Sequence, residues 1–599
     1  MVPFSELYPI NNNYRTALSL DGMWHFKFDP KGEGEEAGWQ NGLHFPCTIP
    51  VPASFADLFT DRDSRDYTGD FWYETEFYVP SGWETGKIVV RFGSLTHRAK
   101  IFLNGEMLAS HEGGFLPVAV DVTGAARRDG ANRLSVLINN ELNETSIPCG
   151  IIKQGADGRK IAKPYFDFFN YSGIQRSVQL LHIPEEAVQD YSVTYELKGS
   201  DALVHYTVET DGEHEVRVKL FDAEGREAAV SEGKTGTLAV QNAHLWQVRN
   251  AYLYTIEIDI LDGEKVLDRY SDRIGIRTVE IRGARILING EPVYLKGFGK
   301  HEDFEVLGRA ANGAIVKRDF ECMKWTNANC FRTSHYPYDE SWYWMADEEG
   351  FLIIDEVPAV GMMRSTHNFV AAGAGGSYTY FFECPTVPQL KAHHIQCVEE
   401  MIKRDKNHPS VFAWSLLNEP ETVSDYARDY FTDVFAAART FDPQHRPMTG
   451  AFEKNSKPEL CKVYPLCDFI CLNRYYGWYI SGSELDEAEA KFRDEMDRWA
   501  AKELNVPFVF TEFGTDTLAT EHKLPSVMWS QEYQDEYLEM NFTVFDSYDF
   551  IQGELVWNFA DFQTGEGIFR VNGNRKGVFT RGRQPKSAAF VLKKRWETK

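Results

Sequence analysis

From about residue 279 onward the sequence repeats a short apolar run followed by an amphipathic stretch, and this rhythm narrows the possible folds more than any other feature of the chain. Eight runs read as strands: Val293 to Gly297, Asn329 to Thr333, Phe351 to Asp355, Phe412 to Leu417, Arg446 to Gly450, Asp468 to Leu472, Pro507 to Thr511 and Gln552 to Trp557. Helical periodicity marks the intervening segments Ile315 to Trp325, Tyr426 to Thr440, Asp486 to Glu503 and Gln531 to Phe545. Strands alternating with helices make a parallel sheet whose outer face the helices cover. Eight such units predict a closed (β/α)8 TIM barrel over residues 279–599, with its chemistry at the C-terminal ends of the strands.

A chain of 599 residues is too long for one core, and at ~150 residues per domain it should hold three or four units. Residues 1–183 show short alternating strands divided by turn signals, such as Lys87 to Arg91, then Ala99 to Leu103 closed by Asn104-Gly105. That dipeptide favours the type I′ turn of a tight hairpin. Residues 184–278 alternate more cleanly. Val216, Val218 and Leu220 face one way, as do Ile256, Ile258 and Ile260 before Asp262-Gly263, which fits a small β-sandwich. The chain has no solenoid repeat and no low-complexity segment.

The net charge of −26 argues against nucleic acid or an anionic membrane as a partner, because the long-range field repels polyanions. That charge is uneven: residues 570–599 hold ten basic side chains, Arg570, Arg575 and Lys576 among them, against the single acid Glu597. A solvated helix face accounts for the distal half of this tail. Nine cysteines without paired CxxC spacing suggest neither a disulfide framework nor a structural zinc site, and read as buried thiols of a reducing compartment. The opening MVPFSELYPINNNYR lacks the basic and apolar regions of a signal peptide, and no stretch reaches 18 uninterrupted apolar residues. A cytoplasmic protein is expected. Aromatics make up 14% of the chain, which suits stacking against flat ligands, although core packing accounts for most of them.

Two glutamates carry the chemical argument. The fourth strand runs VFAWSLLNEP and places Glu419 at its C-terminal end, while the seventh runs PFVFTEFG and places Glu512 at the matching end. An inner barrel strand is apolar because both its faces are covered, so an acid ending it is costly unless paired or used. An acidic cap on the following helix would explain one such residue; two at corresponding positions on opposite sides of a barrel suit carboxylates flanking one scissile bond. A retaining glycosidase sets such a pair ~5–5.5 Å apart, one attacking the anomeric carbon and the other protonating the leaving oxygen. Mutual repulsion divides the roles by raising the acid's pKa while its partner is ionised. Asn418 stands where it can hold the sugar 2-hydroxyl.

Together, RTSHYPY, WSLLNEP, NRYYGWY, TEFG and WNFADF give the chain a resemblance, over essentially its whole length, to a glycoside hydrolase of family 2, on the β-glucuronidase side of that family. The resemblance implies an N-terminal jelly-roll β-sandwich, an immunoglobulin-like β-sandwich and a catalytic barrel. It makes Glu419 the acid/base and Glu512 the nucleophile, in agreement with the strand ends. It also implies that Asn574 and Lys576 of VNGNRKG bind a C6 carboxylate, the lysine supplying charge and the asparagine a directed donor. Arg570 matches another pocket position, and Asp167 of YFDFFNY matches an acid that reaches the sugar hydroxyls from the first domain. Asn473, Tyr475 and Tyr479 match substrate contacts, Tyr475 near the nucleophile; His335 fits a hydroxyl donor and Trp557 a sugar platform. A turn residue at Asp167, core packing at Tyr479, a structural His335 and a basic solvated turn at 574–576 are the competing readings.

The implied function is exo-hydrolysis of small β-D-glucuronides with retention, through a covalent glycosyl-enzyme. The implied assembly is a homotetramer sharing a loop over Gly361 to Cys384. His301-Glu302-Asp303 follows the first strand in no tight metal spacing, and two-carboxylate hydrolysis needs no metal or cofactor, so none is expected. A β-galacturonidase or β-galactosidase of the same family, or a non-catalytic carbohydrate-binding protein, remain the alternatives.

Overall fold

The computed structural model describes residues 7–363 and 380–599. Its first body is a sandwich of two antiparallel sheets, of six and four strands. Strand Val178–Ile183 lies between Thr16–Ser19 and Lys87–Phe92, so sequence-distant segments are neighbours, as in a jelly roll. Alternation decides what lies inside: Phe71 and Tyr73 from one sheet meet Ile88, Val90 and Phe92 from the other in one core. Asn104 (φ 53°) and Gly105 (φ 89°) both adopt the left-handed conformation that a type I′ turn requires. The second body packs a three-stranded sheet on a four-stranded one. Val216, Val218, Leu220, Ile256, Ile258 and Ile260 all face its core, as their alternation predicts.

The third body is a closed parallel barrel of eight strands: Leu295–Gly299, Cys330–Arg332, Leu352–Glu356, Val411–Asn418, Met448–Phe452, Ile470–Asn473, Phe508–Glu512 and Ile551–Trp557. The eighth strand pairs back onto the first, with Leu295 opposite Gly553. All eight predicted runs are strands. The predicted helices are found as Gly313–Trp325, Asp425–Phe441, Leu485–Ala500 and Gln531–Phe545. Asn312, Ser424 and Ser530 start three of them by accepting backbone N–H groups of the first turn.

The first body is fused to the barrel by apolar packing. Phe115, Ile147, Cys149, Phe166 and Phe168 belong to the same buried cluster as the barrel's outer core. Buried ion pairs reinforce the joint, Arg91 with Glu340 at 2.6 Å and Arg176 with Glu302 at 3.2 Å. The basic residues from 581 to 586 are engaged by acids, Arg581 with Asp57 and Asp303, Arg583 with Asp319, and Lys586 with Asp561, while Lys594 and Lys599 farther on are exposed. Of the nine cysteines, all free thiols, six are buried, but Cys47 is exposed on an edge strand of the six-stranded sheet, contrary to the expectation of buried thiols. Most of the expected loop Gly361 to Cys384, residues 364–379, lies outside the described residues. Among the described residues no helix is long and apolar enough to cross a membrane.

Candidate active site

The strand-end logic brings Glu419, Glu512, Asn418 and Asn473 together at one end of the barrel. Glu512 is the last residue of its strand and is 4% exposed, so its charge must be matched locally. Both of its oxygens are taken. The Arg332 guanidinium donates to Oε1 at 2.5 Å, and the Tyr475 hydroxyl donates to Oε2 at 2.5 Å. His335 Nε2 lies 3.8 Å from Oε1. Two strong hydrogen bonds, one from a permanent cation, fix this carboxylate in place.

Glu419 stands in different surroundings. It follows its strand directly, in the left-handed conformation (φ 51°), with its N–H bonded to the Ala451 carbonyl of the next strand. A bulky residue held there is strained, as functional residues can be when the surrounding structure fixes them. Its Oε1 accepts a hydrogen bond from Asn473 Nδ2 at 2.8 Å. Burial first, and the charge of Glu512 second, push the Glu419 carboxyl well above the usual carboxylate range; Glu453 adds to this, while Asn473 and Arg332 oppose it. Asn473 is itself oriented, because Thr511 donates to its Oδ1 at 2.8 Å and so turns its Nδ2 toward Glu419.

A third acid supports the pair. Glu356 ends the third strand, fully buried, and accepts from Arg332 at 2.8 and 3.1 Å, from His335 Nδ1 at 2.9 Å and from Ser415 Oγ at 2.7 Å. Burial works against its ionisation, but Arg332, His335 and Ser415 outweigh that and hold it below the usual range. Arg332 Nη1 also donates to Asn418 Oδ1 at 3.2 Å. One guanidinium thus orients Glu512, Glu356 and Asn418 at once. His335 stacks on Trp557, with ring centroids 5.1 Å apart, which seats the indole in the wall of the site.

A second cluster adjoins the first. Phe166 and Phe168 are anchored in the core, so by strand-like alternation Asp167 between them points the other way. It meets the loop after the eighth strand: both its oxygens accept from Arg570, and Asn574 Nδ2 donates to it at 3.2 Å. Arg570 Nη2 donates to the Tyr479 hydroxyl at 2.9 Å, and Lys576 Nζ reaches the same hydroxyl at 3.0 Å. Tyr479 packs edge-on against Tyr475, at 5.1 Å between centroids, which links this basic cluster to the ring that holds Glu512. Asp167 here touches the basic groups themselves. Gly514 of TEFG explains its own presence: a Cβ there would fall 1.7 Å from the Trp557 carbonyl oxygen, in the seam where Asn558 N–H bonds the Lys576 carbonyl.

These contacts place every residue singled out in the sequence in one connected site. Arg332, Glu356 and Asp516 escaped the sequence reading. Arg332 and Glu356 end the second and third strands, so applying the strand-end argument to all eight strands finds them. Of the HED segment, Glu302 is engaged by Arg176 and the Asp339 N–H, and Asp303 by Arg581 and the Gln563 N–H. His301 packs against Phe562 and Trp557 as a wall residue. Among the described residues no cluster of three acidic, histidine or cysteine side chains is arranged to hold a metal ion.

Three family models cover almost the whole chain: the sugar binding domain of glycosyl hydrolases family 2 over residues 17–184, glycosyl hydrolases family 2 over 182–277, and the family 2 TIM barrel domain over 279–599. The chain belongs to glycosyl hydrolase family 2. It is a glycoside hydrolase, similar over 98% of both chains to the β-glucuronidase of Paenibacillus borealis, at 43% identity. The β-glucuronidase of Streptococcus agalactiae is 39% identical over 99% of this chain and 98% of its own. A solved structure of Ruminococcus gnavus β-glucuronidase in complex with uronic isofagomine is 70% identical, superposes with a TM-score of 0.99 and covers 100% of both chains. The jelly-roll, immunoglobulin-like and barrel architecture is that of the family.

Proposed function

We propose that this family 2 hydrolase cleaves β-D-glucuronides from their non-reducing end with retention of configuration, releasing glucuronic acid and an alcohol. The observation that carries the substrate is the Tyr479 hydroxyl, bonded to two cations, Arg570 and Lys576, beside the ring that holds Glu512. Two cations gathered in an acidic protein are suited to a ligand carboxylate, which glucuronides carry at C6. The likeness to a β-glucuronidase that binds a uronic acid analogue supports the same reading.

The mechanism rests on the different surroundings of the two glutamates. Ionised Glu512 attacks the anomeric carbon while Glu419 gives its proton to the glycosidic oxygen; the C–O bond to the leaving group breaks as the bond to Glu512 forms. Esterification of Glu512 removes the charge that, after burial, raises the Glu419 carboxyl most, so Glu419, now a base, takes a proton from the water that releases the sugar. Asn418, fixed by Arg332 and Asn473, is placed for the 2-hydroxyl; Trp557 and His335 line the wall.

Comparison of kcat/KM on p-nitrophenyl β-D-glucuronide, β-D-galacturonide and β-D-galactoside tests the substrate, and preference for the galactoside would sink the assignment. Mass-spectrometric mapping after inactivation by a 2-deoxy-2-fluoroglucuronyl fluoride tests the intermediate, with the label expected on Glu512. The same reading includes a cytoplasmic homotetramer, for which light scattering of the purified protein gives the mass.

A further inference from the structure

Asp516 lies four residues beyond Glu512 and is fully buried, yet the two-carboxylate reaction does not use it. Its Oδ2 contacts Lys576 Nζ and lies 3.5 Å from Arg570 Nη1, while its Oδ1 accepts the Arg575 backbone N–H at 2.8 Å. One carboxylate thus faces both cations of the basic cluster and is itself fixed to the backbone of the turn that carries Lys576. The Lys576 side chain, only 1% exposed, has three rings around its ammonium: Tyr479 at 4.9 Å, Trp478 at 5.5 Å and Tyr475 at 5.8 Å from their centroids. Asp167 on the far side of Arg570 is different in kind. Its side chain is 43% exposed and comes from another domain.

Counted together, two cations and two anions leave the cluster neutral before any ligand arrives. A ligand carboxylate therefore gains little from net charge, and must displace one of the resident acids. The buried, backbone-tied Asp516 cannot withdraw without stranding Lys576, whereas the exposed Asp167 can leave Arg570 for solvent or for a sugar hydroxyl.

We propose that Asp516 is a positioning residue that fixes Lys576 and Arg570 as a pair spaced for the substrate's C6 carboxylate, and that Asp167 is the exchangeable anion this carboxylate displaces. The proposal rests on the glucuronide reading above. It makes Asp516 a determinant of specificity that acts through Lys576 and Arg570 and has no contact with the reacting bond.

The test compares p-nitrophenyl β-D-glucuronide with p-nitrophenyl β-D-glucoside, which differs only at C6, across wild type, Asp516→Asn, Lys576→Met and the double variant. Asp516→Asn keeps the acceptor for Arg575 N–H and loses the charge. KM for the glucuronide is expected to rise at least tenfold, with kcat and the residual glucoside activity changing less than threefold. Against the Lys576→Met background, the same substitution should raise KM by less than threefold. If Asp516→Asn does not fold, the double variant, which removes both buried charges, is compared with Lys576→Met alone. Equal losses on both sugars, an unchanged glucuronide KM, or a full further loss in the Lys576→Met background overturns the proposal. If wild type itself fails to prefer the glucuronide, the functional reading fails; if wild type prefers it and only the variant pattern is wrong, the positioning role alone fails.

Discussion

Glu419→Gln is the substitution that most directly separates chemistry from structure. Glutamine has the shape of the acid and keeps an oxygen to accept from Asn473 Nδ2, a bond of 2.8 Å in the present site. It removes only the transferable proton and the base that forms later. Loss of a positioned general acid costs ~10²–10⁴ in rate, or about 3–5 kcal/mol of barrier. The whole of that loss should fall on phenyl β-D-glucuronide, whose leaving group needs protonation. A 2,4-dinitrophenyl glucuronide needs none, so its first step should survive and glycosyl-enzyme should accumulate, visible as a burst of dinitrophenolate. Azide, which needs no base, should restore turnover and yield β-glucuronyl azide. The pH dependence has a defined sign. Burial and the charge of Glu512 raise the Glu419 carboxyl above its usual range, and the reactive form is protonated, so wild-type kcat/KM falls as pH rises through that raised value. Glu419→Gln should lack this basic limb on the dinitrophenyl substrate. The same upward shift means that Glu419 contributes to stability below its unfolded pKa of ~4.3 and loses that contribution as pH climbs through the folded one. The variant should therefore gain stability relative to wild type from acid to neutral pH. Retention of more than a tenth of wild-type activity on the phenyl substrate, or absence of azide rescue, would refute the assignment.

Other consequences follow from the same geometry. Arg332→Met leaves Glu356 and Glu512 without their shared cation, and breaking a buried pair costs ~3–5 kcal/mol, to be seen as a lower urea midpoint that Arg332→Lys restores in part. Tyr475→Phe removes one hydrogen bond to an ionised acceptor, worth ~1.5–3 kcal/mol, and should lower kcat roughly 10–100-fold with KM little changed. A twofold change or less would show that the bond is not felt in the transition state. His408 is partly buried, which disfavours its charge, but Asp347 at 2.6 Å outweighs this and raises it to about 9. A raised histidine stabilises below its unfolded pKa of ~6.5 and loses that contribution as pH rises to about 9, on the order of 3 kcal/mol. Thermal unfolding of wild type and His408→Gln between pH 6 and 9.5 should converge toward the alkaline end; parallel curves would refute the pairing.

The barrel was legible in the sequence because a doubly covered strand must be apolar and a helix between two strands must be amphipathic, and both periods are visible residue by residue. Its strand ends were legible to within two residues: Val293 was expected where Leu295 begins the first strand. The buried basic run was not. Arg581, Arg583 and Lys586 look like a solvated tail until the fold brings Asp57, Asp303, Asp319 and Asp561 to them from positions 25 to more than 500 residues away. Local sequence carries no trace of such pairing. The same is true of Asp167, whose flanking phenylalanines predict which way it points but not that Arg570 awaits it 403 residues later.

Strand-end reasoning also identifies more acids than catalysis needs, and the structure separates them by their partners. Glu356, Glu419 and Glu512 all stand at or just past the C-terminal end of an apolar strand, and sequence alone gives them equal claim. Glu356 is enclosed by Arg332, His335 and Ser415 and fully buried, so no substrate atom can approach it, and its work is to hold the donors of its neighbours. Glu512 shares the same arginine, accepts a further bond from a tyrosine, and remains slightly open to the site. Among the described residues Glu419 has no cation bonded to it, and it faces the charge of Glu512. The guanidinium's hold thus weakens from Glu356, with two bonds, to Glu512, with one, to Glu419, with none among the described residues. On the proposed roles, nucleophile and acid are two adjacent steps on that gradient, which makes Arg332, a residue that need not touch the sugar, the group that distributes them.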